Sequence, residues 1–325
     1  MTLDVVVPTY NRSALLRKTI QSLLSAPVPE GLDVTIIVVD NNSKDDTRDV
    51  VLTMRAGAKL SVEYVHQPLQ GLSHARNAGI GAGKGDLVGV IDDDEEVQEH
   101  WYKTVAREFE DPETQFIGGP YLPNCEIDLP GWLPPGYNGV IGIVEAKPRQ
   151  PFGDSFPGNL QGGNAVFRRG VFERVGLYDV HLGRAGKGLL SEEDAEFYRR
   201  LLVAGLRGFH VPDLAIYHYI PATRLTRRYY RRWCFWRGVS QGIADKKQRE
   251  NVRYLFSVPR YRVMLGIGGV FDIPRNLFSR SASGESFARE LSFWGLLGFV
   301  YGKHFIKIDS YYADKTKTSA GNSSR

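Results

Sequence analysis

Five consecutive acidic residues occupy positions 92–96, directly after the short apolar run 87–91. Clustered carboxylates repel one another, and a bound cation relieves that repulsion. Mg²⁺ or Mn²⁺ suits this role, because each binds one or two carboxylates together with the phosphate oxygens of a ligand. A solvated acidic turn is the alternative, and the glycine of an EF-hand calcium loop is missing here. The local pattern favours a divalent metal site.

Polar residues also follow two other apolar runs. The run 3–7 continues into Pro-Thr-Tyr-Asn-Arg at 8–12, and the run 34–39 continues into Asp-Asn-Asn-Ser at 40–43. Such residues are most often turn formers or helix caps. Their second interpretation is a nucleotide site at the ends of two strands.

Two downstream acids and one histidine are candidates for proton transfer and metal binding. Glu193 and Asp194 begin an amphipathic stretch, where Ser191 and Asp194 resemble a capping box. The local pattern favours the cap over a general base. His218 ends an apolar run, and it would bind a metal only if the fold brought it near Asp94.

The elements that position these residues are predicted by apolar periodicity. Segments 3–7, 34–39, 61–65 and 87–91 predict strands, and segments 13–24, 46–54 and 72–81 predict helices between them. Ser13 is predicted to cap the first helix, and Asp45 or Asp46 the second. This alternation predicts a mainly parallel α/β sheet, whose ligands bind beyond the carboxyl ends of the strands.

The rest of the chain changes in texture. Residues 118–160 are rich in proline and predict a long irregular excursion, with Trp132 exposed in it. A helix over 191–204 and strands over 208–211 and 214–219 follow. A basic, aromatic helix is predicted over 224–248, and the tail 313–325 is predicted to be disordered.

Charge divides the chain into an acidic front and a basic rear. Residues 221–325 carry 20 Lys and Arg against 7 Asp and Glu, whereas residues 1–220 carry 21 against 30. Basic surfaces bind the phosphates of lipids, lipid-linked substrates or nucleic acids. Within 224–237 we predict that Arg227, Arg228, Arg231 and Arg232 contact an anionic membrane surface. A solvated basic face over packed aromatic residues is an equal alternative.

Composition excludes several classes of protein. The apolar fraction of 42 % and the charged fraction of 24 % are those of a globular protein, and the two cysteines form no scaffold or zinc motif. The longest apolar run is shorter than the roughly 20 residues that span a bilayer. The apolar segments 263–271 and 291–301 are therefore either core helices or elements in the headgroup region. We expect a cytoplasmic protein, peripheral on the inner face of the cell membrane.

The motifs together resemble the family 2 glycosyltransferases of the GT-A fold. The resemblance extends over residues 3–220 and is carried by seven short motifs in register. These are VVVPTYNR at 5–12, VVDNNS at 38–43, GLSHARNAG at 71–79, GDLVGVIDDD at 85–94, GGNA at 162–165, VGLYD at 175–179 and Glu193-Asp194.

The resemblance implies roles for particular residues. Those that would contact the nucleotide sugar are Pro8, Thr9, Tyr10, Arg12, Asp40, Arg76, Asp92, Asp93, Gly163 and Asn164. Asp92 and Asp94 match the ends of the family's DxD motif, so Asp92, Asp94 and His218 would bind Mn²⁺ or Mg²⁺. Asp194 would be the catalytic base. Trp132 and Glu193 are assigned to the acceptor side.

The implied reaction is metal-dependent, inverting transfer of a sugar from a nucleotide donor, most consistent with a UDP-sugar, to a glycan or lipid-linked acceptor. The implied organisation is a catalytic region over 1–222, with a donor half to about 118 and an acceptor half from 119, then a helical basic region over 223–312. A catalytically inactive sugar-nucleotide-binding protein and a sugar-phosphate nucleotidyltransferase are the alternatives. No nucleic-acid partner is expected.

Overall fold

The structure is a computed structural model that describes residues 1–153, 156, 158–180, 182, 193–247, 249, 251–278 and 283–306. The described residues fall into two compact units. The first draws on Met1–Asn124, Val144–Gly186 and Glu192–Tyr219, and the second on Cys125–Ile143 and the chain from Ile220 onward. The predicted start of the 191–204 helix and the tail 313–325 lie outside the described residues. The predicted donor and acceptor halves stay a prediction.

The first unit is built from strands and helices in alternation. Its strands are β1 (Thr2–Thr9), β2 (Asp33–Asp40), β3 (Ser61–His66), β4 (Leu87–Ile91), β5 (Glu95–Val97), β6 (Phe116–Gly118), β7 (Tyr121–Cys125), β8 (Gln150–Pro151), β9 (Asn164–Arg168), β10 (Gly208–His210) and β11 (Ile216–Ile220). Its helices are α1 (Ser13–Ser25), α2 (Thr47–Ala56), α3 (Leu72–Ala82), α4 (Trp101–Glu108), α5 (Gly170–Val175) and α6 (Glu193–Val203).

Eight of these strands form one sheet among the described residues, in the order β3-β2-β1-β4-β9-β6-β10-β8. Strands β1 to β4 are parallel, whereas β9 runs antiparallel between β4 and β6. In β1, Val5 and Val7 enter one apolar cluster and Val6 enters the other. The sheet is therefore buried on both faces, which explains its near-continuous runs of Val and Ile. A smaller sheet has the order β5-β11-β7.

Hydrogen bonds join the loop that follows β1 to the loop that follows β2. Asp45 accepts hydrogen bonds from the backbone N–H groups of Ser13 and Thr47, at 3.0 and 3.2 Å. It therefore serves the first turns of both α1 and α2. The predicted cap by Ser13 is wrong, because α1 begins at Ser13 itself and Arg12 precedes it without a side-chain cap. A side chain 32 positions away supplies the acceptor instead.

The second unit is mainly helical. Its elements are two short 3₁₀ helices (Asn138–Ile141 and Ala222–Arg224), α7 (Arg227–Lys247), the hairpin strands β12 (Tyr254–Leu255) and β13 (Val258–Pro259), and helices α8 (Arg260–Val270), α9 (Ile273–Phe278) and α10 (Gly284–His304). The helix predicted over 224–248 begins at Arg227, three residues later than predicted, because Ala222–Arg224 forms a 3₁₀ helix. No helix within the described ranges is long and apolar enough to span a membrane.

Helices α7 and α10 pack closely through glycine. A Cβ atom at Gly238 would lie 2.9 Å from the backbone nitrogen of Phe299, and one at Gly302 would lie 2.9 Å from Cα of Val239. Phe299 and Leu291 of α10 are buried. The apolar segment 291–301 is therefore a core helix, the first of the two alternatives.

Trp132 is partly buried and packs against the core of the second unit. Its ring packs edge-on against Tyr230 and Phe287, with centroids 5.6 and 5.4 Å away, and the guanidinium of Arg227 lies over it. The prediction that Trp132 is exposed is wrong, because its aromatic partners are about 100 and 150 positions away in the sequence. Its predicted acceptor role stays a prediction.

Candidate active site

Arg12 contacts two acids of the 92–96 run, the predicted donor-binding Asp93 and the predicted metal ligand Asp94. Its Nη1 lies 3.0 Å from Oδ1 of Asp93 and 3.0 Å from Oδ2 of Asp94. The hydroxyl of Thr9 donates to Oδ2 of Asp93 at 2.8 Å. Because β1 and β4 are neighbouring parallel strands, the residues that follow them meet at one edge of the sheet. This is the edge at which the sequence predicted a ligand.

Arg76 joins two acids that are about 100 positions apart in the chain. Its Nη1 lies 2.7 Å from Oδ1 of Asp194, and its Nη2 lies 3.1 Å from Oδ1 of Asp92. The side chain is only 1 % exposed and lies over the ring of Tyr178. Burial lowers the pKa of Arg76, but Asp194 and Asp92 outweigh burial and raise it well above its ordinary value. Arg76 is therefore a permanent cation that fixes the predicted base beside the predicted donor site.

Two glycines let the chain pass close to these acids. A Cβ atom at Gly162 would lie 2.6 Å from Nη1 of Arg76, and one at Gly163 would lie 2.8 Å from Oδ2 of Asp92. Any larger residue would displace the charged groups. Gly163 was predicted here as part of the sugar site, whereas the contact of Gly162 with Arg76 was not predicted.

Glu95 is a site residue that the sequence analysis did not assign. It is 1 % exposed, and its Oε2 accepts a hydrogen bond from the backbone N–H of Asp92 at 2.8 Å. Burial, followed by repulsion from Asp92 and Asp94, raises the pKa of Glu95 well above its ordinary value. The sequence shows that Glu95 belongs to the acidic run. It does not show that Glu95 is buried, because this burial depends on the pairing of β5 with β11.

Asp93 also holds its proton unusually tightly. Burial is the largest cause, and repulsion by Asp94 adds to it, while Arg12 and the hydrogen bond from Thr9 act in the opposite direction. The net effect raises the pKa of Asp93 to about 7. Asp92, Asp93, Asp94 and Asp194 contact two arginines and Glu95 lies beside Asp92, so acids outnumber cationic side chains here, and a bound cation would lower the pKa values of Asp93 and Glu95.

The structure brings together two of the three predicted metal ligands. Nε2 of His218 lies 3.8 Å from Oδ1 of Asp94, and both side chains are buried. Ligand atoms about 2.1 Å from one ion are about 3.0 Å apart when adjacent and about 4.2 Å apart when opposite, so this spacing fits a shared ion. Asp92 is instead held by Arg76, and among the described residues no three His, Cys, Asp or Glu side chains could hold a metal together. The pair fits a metal whose other ligands are phosphate oxygens and water.

Tyr121 is a second residue that the sequence analysis missed. Its hydroxyl is buried and has no hydrogen-bond partner among the described residues. Burial raises the pKa of Tyr121 well above its ordinary value, and the nearby charges of Glu95, Asp92 and Asp194 add to this effect. A buried, unpaired donor is costly. The hydroxyl of Tyr121 is therefore left for a partner outside the described residues.

Asp40 lies at the end of β2 with both oxygens engaged. Oδ1 accepts from the backbone N–H of Ser43 at 2.8 Å, and Oδ2 accepts from the hydroxyl of Tyr64 at 2.7 Å. Burial and this bond raise the pKa of Tyr64 to about 12. A carboxylate has further lone pairs, so Asp40 can accept one more donor.

Asn164 is placed inside the fold. Its amide donates to the carbonyl of Leu214 at 2.6 Å, its carbonyl oxygen accepts from the indole of Trp101 at 3.0 Å, and it is fully buried. The side chain therefore joins β9 to α4 and to the segment before β11. Its backbone carbonyl accepts from the N–H of Gly119 at 3.4 Å, and the predicted contact of Asn164 with the sugar stays a prediction.

The remaining predicted residues differ in exposure. Pro8 is buried at the end of β1, Tyr10 is exposed just beyond it, and Glu193 is buried at the start of α6. These positions agree with a site at the carboxyl edge of the sheet. Their roles toward a ligand stay predictions.

Comparison with known sequences identifies the family. Residues 4–176 match the profile of Glycosyl transferase family 2, which is more than half of the chain. The chain belongs to this family. The predicted family and its GT-A fold are confirmed, and so is the prediction of a transferase.

The transferase resembles curated proteins over most of its length. It is 28 % identical over 260 residues to the glucosyl-dolichyl phosphate glucuronosyltransferase of Haloferax volcanii, covering 75 % of this chain and 78 % of that protein. It is 25 % identical over 260 residues to the succinoglycan biosynthesis protein ExoM of Rhizobium meliloti, covering 79 % of each.

A solved structure shares the fold of the transferase. The mannosyltransferase of Pyrobaculum calidifontis, in complex with GDP-Man and Mn²⁺, superposes with a TM-score of 0.60 at 16 % identity, over 94 % of this chain and 88 % of that one. At this identity the likeness shows the fold alone.

Proposed function

We propose that the transferase moves a sugar from a nucleoside diphosphate to an acceptor hydroxyl, with inversion at the anomeric carbon. The observation that carries this proposal is the bridge from Asp92 through Arg76 to Asp194. This bridge places the carboxylate of Asp194 near Asp92, which is assigned to the donor. Oδ1 of Asp194 is held by Arg76, while Oδ2 accepts no hydrogen bond from any described residue. That oxygen is available to take the proton of the attacking hydroxyl.

The donor diphosphate would lie against Asp94 and His218. A bound Mn²⁺ or Mg²⁺ would there neutralise the charge that develops on the leaving diphosphate. Arg12 adds a guanidinium at the same place, whose two carboxylate contacts leave other N–H groups for phosphate oxygens. The surplus of acids over arginines supports the need for such a cation.

We assign UDP as the donor nucleotide, with GDP as the competing assignment because the structural neighbour is bound to GDP-Man and Mn²⁺. For the acceptor we propose a glycan or lipid-linked sugar. The name of the Haloferax relative, which refers to glucosyl-dolichyl phosphate, supports the lipid-linked form.

Calorimetric titration with UDP, GDP, dTDP and CMP, with and without Mn²⁺, tests the donor site. We expect UDP to bind only with Mn²⁺, and Asp94→Asn to weaken this binding at least tenfold. Asp213→Asn is the matched control, because Asp213 is an exposed acid of the same unit paired with Arg107. Binding of GDP alone would replace the nucleotide assignment, and binding of none by the folded protein would overturn the donor site.

The configuration of the product tests the predicted stereochemistry. Proton NMR of the released glycoside should show the anomer opposite to that of the donor, because one displacement inverts the carbon. A product of retained configuration would overturn the assignment of Asp194 as base.

A further inference from the structure

Helix α8 turns Gly266 and Gly269 inward and most of its large apolar residues outward. Gly266 and Gly269 face α10: a Cβ at Gly266 would lie 2.7 Å from Cβ of Leu296, and one at Gly269 would lie 2.9 Å from the carbonyl carbon of Arg289. In contrast, Met264 is 63 % exposed and Ile267 is 54 % exposed. A surface helix normally buries its large apolar side chains.

The hairpin before α8 ends in an exposed aromatic ring. Phe256, at the tip between β12 and β13, is 89 % exposed and has a φ of 48°, and Ser257 has a φ of 62°. The left-handed region is unfavourable for a bulky side chain. Strain of this kind clusters at functional positions, where another contact compensates for it. The hairpin is held in place from its base, where the hydroxyl of Tyr254 donates to Asp245.

The same kind of exposure continues after α8. Phe271 is 80 % exposed, and in α9 Leu277 and Phe278 are 58 % and 88 % exposed. Of the 24 large apolar residues that are exposed in the described chain, 11 lie between Val252 and Phe278. So many exposed apolar side chains on one segment indicate an interaction site.

Basic side chains accompany these apolar residues. Arg253, Arg260 and Arg275 are exposed, whereas Asp272, the single acid in 252–278, is buried and bound in two places to Arg289. The segment therefore presents positive charge without exposed negative charge. A second copy of the same segment would bring like charges together, which disfavours self-association.

We propose that the apolar–basic face binds an anionic lipid bilayer. We define this face by its exposed residues, which are Arg253, Phe256, Arg260, Met264, Leu265, Ile267, Phe271, Arg275, Leu277 and Phe278. Its apolar side chains enter the boundary between headgroups and acyl chains, and its arginines contact lipid phosphates. The proposal adds a membrane contact to the proposed function without depending on it, because lipid binding needs neither donor nor acceptor.

Two of the α7 arginines that were predicted to contact a membrane have partners within the second unit. Arg231 is bound in two places to Glu290, which is fully buried, and Arg227 donates to the backbone carbonyl of Asn276. These two arginines stabilise the second unit from within. The predicted membrane contact of the four α7 arginines stays a prediction, and of these four Arg228 and Arg232 are exposed.

Co-sedimentation of the full chain with vesicles tests the proposal. The vesicles are phosphatidylcholine alone, or phosphatidylcholine with phosphatidylglycerol. We expect wild type to bind the anionic vesicles at least tenfold more tightly than the neutral ones. The triple variant Met264→Ser, Phe271→Ser and Phe278→Ser should bind at least tenfold more weakly than wild type.

Two further variants make the result specific. Leu52→Ser, Leu177→Ser and Val203→Ser remove three exposed apolar residues of the first unit, and this control should bind as wild type does. Arg253→Glu, Arg260→Glu and Arg275→Glu should abolish the preference for anionic vesicles. Circular dichroism and thermal unfolding establish that each variant is folded.

Three outcomes would overturn the proposal. One is wild-type protein that does not bind anionic vesicles, and another is a folded triple Ser variant that binds as wild type does. The third is concentration-dependent self-association of wild type, lost in the triple Ser variant and accompanied by no vesicle binding, which would assign the face to a second copy. Donor binding measured on the same samples keeps these outcomes separate from a failure of the proposed function.

Discussion

In the first unit, acidic side chains beyond β4 are buried, whereas in the second unit apolar side chains of α8 are exposed. Each arrangement is unfavourable in water: Asp93 and Glu95 lose hydration, and Met264 and Phe271 keep contact with solvent. In the first unit arginines compensate for part of the cost, and a cation with a diphosphate would compensate for the rest. In the second unit a bilayer would do so. Under both proposals, a bound partner offsets the unfavourable arrangement of the free protein.

Arginine itself behaves differently within each region. Arg76 is itself buried and pairs with Asp92 and Asp194, whereas Arg231 pairs with the buried Glu290, and both act inside their units. Arg253 and Arg275 are exposed beside apolar residues. Sequence position does not separate these uses, since the α7 arginines look alike in the sequence. The partner of each guanidinium decides whether it stabilises the fold or is available to a ligand.

The largest expected effect is that of Asp194→Asn on turnover. Loss of a general base should lower the rate of transfer by roughly 10²–10⁴-fold, while the affinity for donor changes little. Glu196→Gln is the matched control, because Glu196 lies on the same helix but pairs with Arg200. Turnover of product and calorimetric donor affinity check this. An unchanged rate would mean that the Arg76 bridge is structural only.

Gly163→Ala should break the packing of the acids in the first unit. The added methyl would meet Asp92 and Glu95, so we expect a loss of about 1–3 kcal/mol in the free energy of unfolding and a clear loss of metal-dependent donor binding. Gly170→Ala is the control, because nothing lies within 4 Å of a Cβ there. Urea denaturation gives the first quantity and calorimetry the second. Equal effects of the two substitutions would contradict the close approach at Gly163.

Glu290→Ala tests the buried arginine of the second unit. Removing one partner of a buried pair leaves Arg231 without its charge partner, so we expect a loss of about 3 kcal/mol in the free energy of unfolding. Arg232→Ala, at an exposed position on the same helix as Arg231, should change it by less than about 0.5 kcal/mol. Chemical denaturation measures both. An unchanged stability of Glu290→Ala would mean that the pair with Glu290 does not stabilise the fold, and Arg231 would then be available to contact lipid.

A further test is the pH dependence of metal-free stability through Asp93. Its pKa is raised from 3.8 to about 7, so the folded state holds the proton more tightly than the unfolded state does. The free energy of unfolding should therefore fall as the pH rises from about 4 to about 7. In Asp93→Asn this part of the slope should be missing. Urea denaturation across this range checks it, and an identical slope in the variant would show that another group is responsible.

Local patterns predicted the first half of the fold well. The predicted strands 3–7, 34–39, 61–65 and 87–91 match β1 to β4 within two residues at each end. Runs of Val and Ile buried on both faces are strong local indicators, so little tertiary information was needed. The family motifs also located the edge of the sheet at which the candidate site lies.

Predictions failed where a side chain's partner is distant in sequence. Asp45 rather than Ser13 serves the start of α1, and Trp132 packs against a core. Tyr121 and Glu95 were missed for the same reason, because burial beside the acids depends on how β5, β7 and β11 return to the site. No local pattern contains that information.

The residue pattern alone determined the order of the first strands and helices, the family, and most of the charged residues at the site. Periodicity and short motifs depend on residues that are neighbours in the chain, so they can be recognised without the tertiary structure. Tertiary structure alone decided that Arg76 joins Asp92 to Asp194, that Arg231 is bound to Glu290, and that α8 presents its apolar side to solvent. These are pairings between distant segments, and a charge or an apolar side chain acquires its role only when folding gives it, or denies it, a partner.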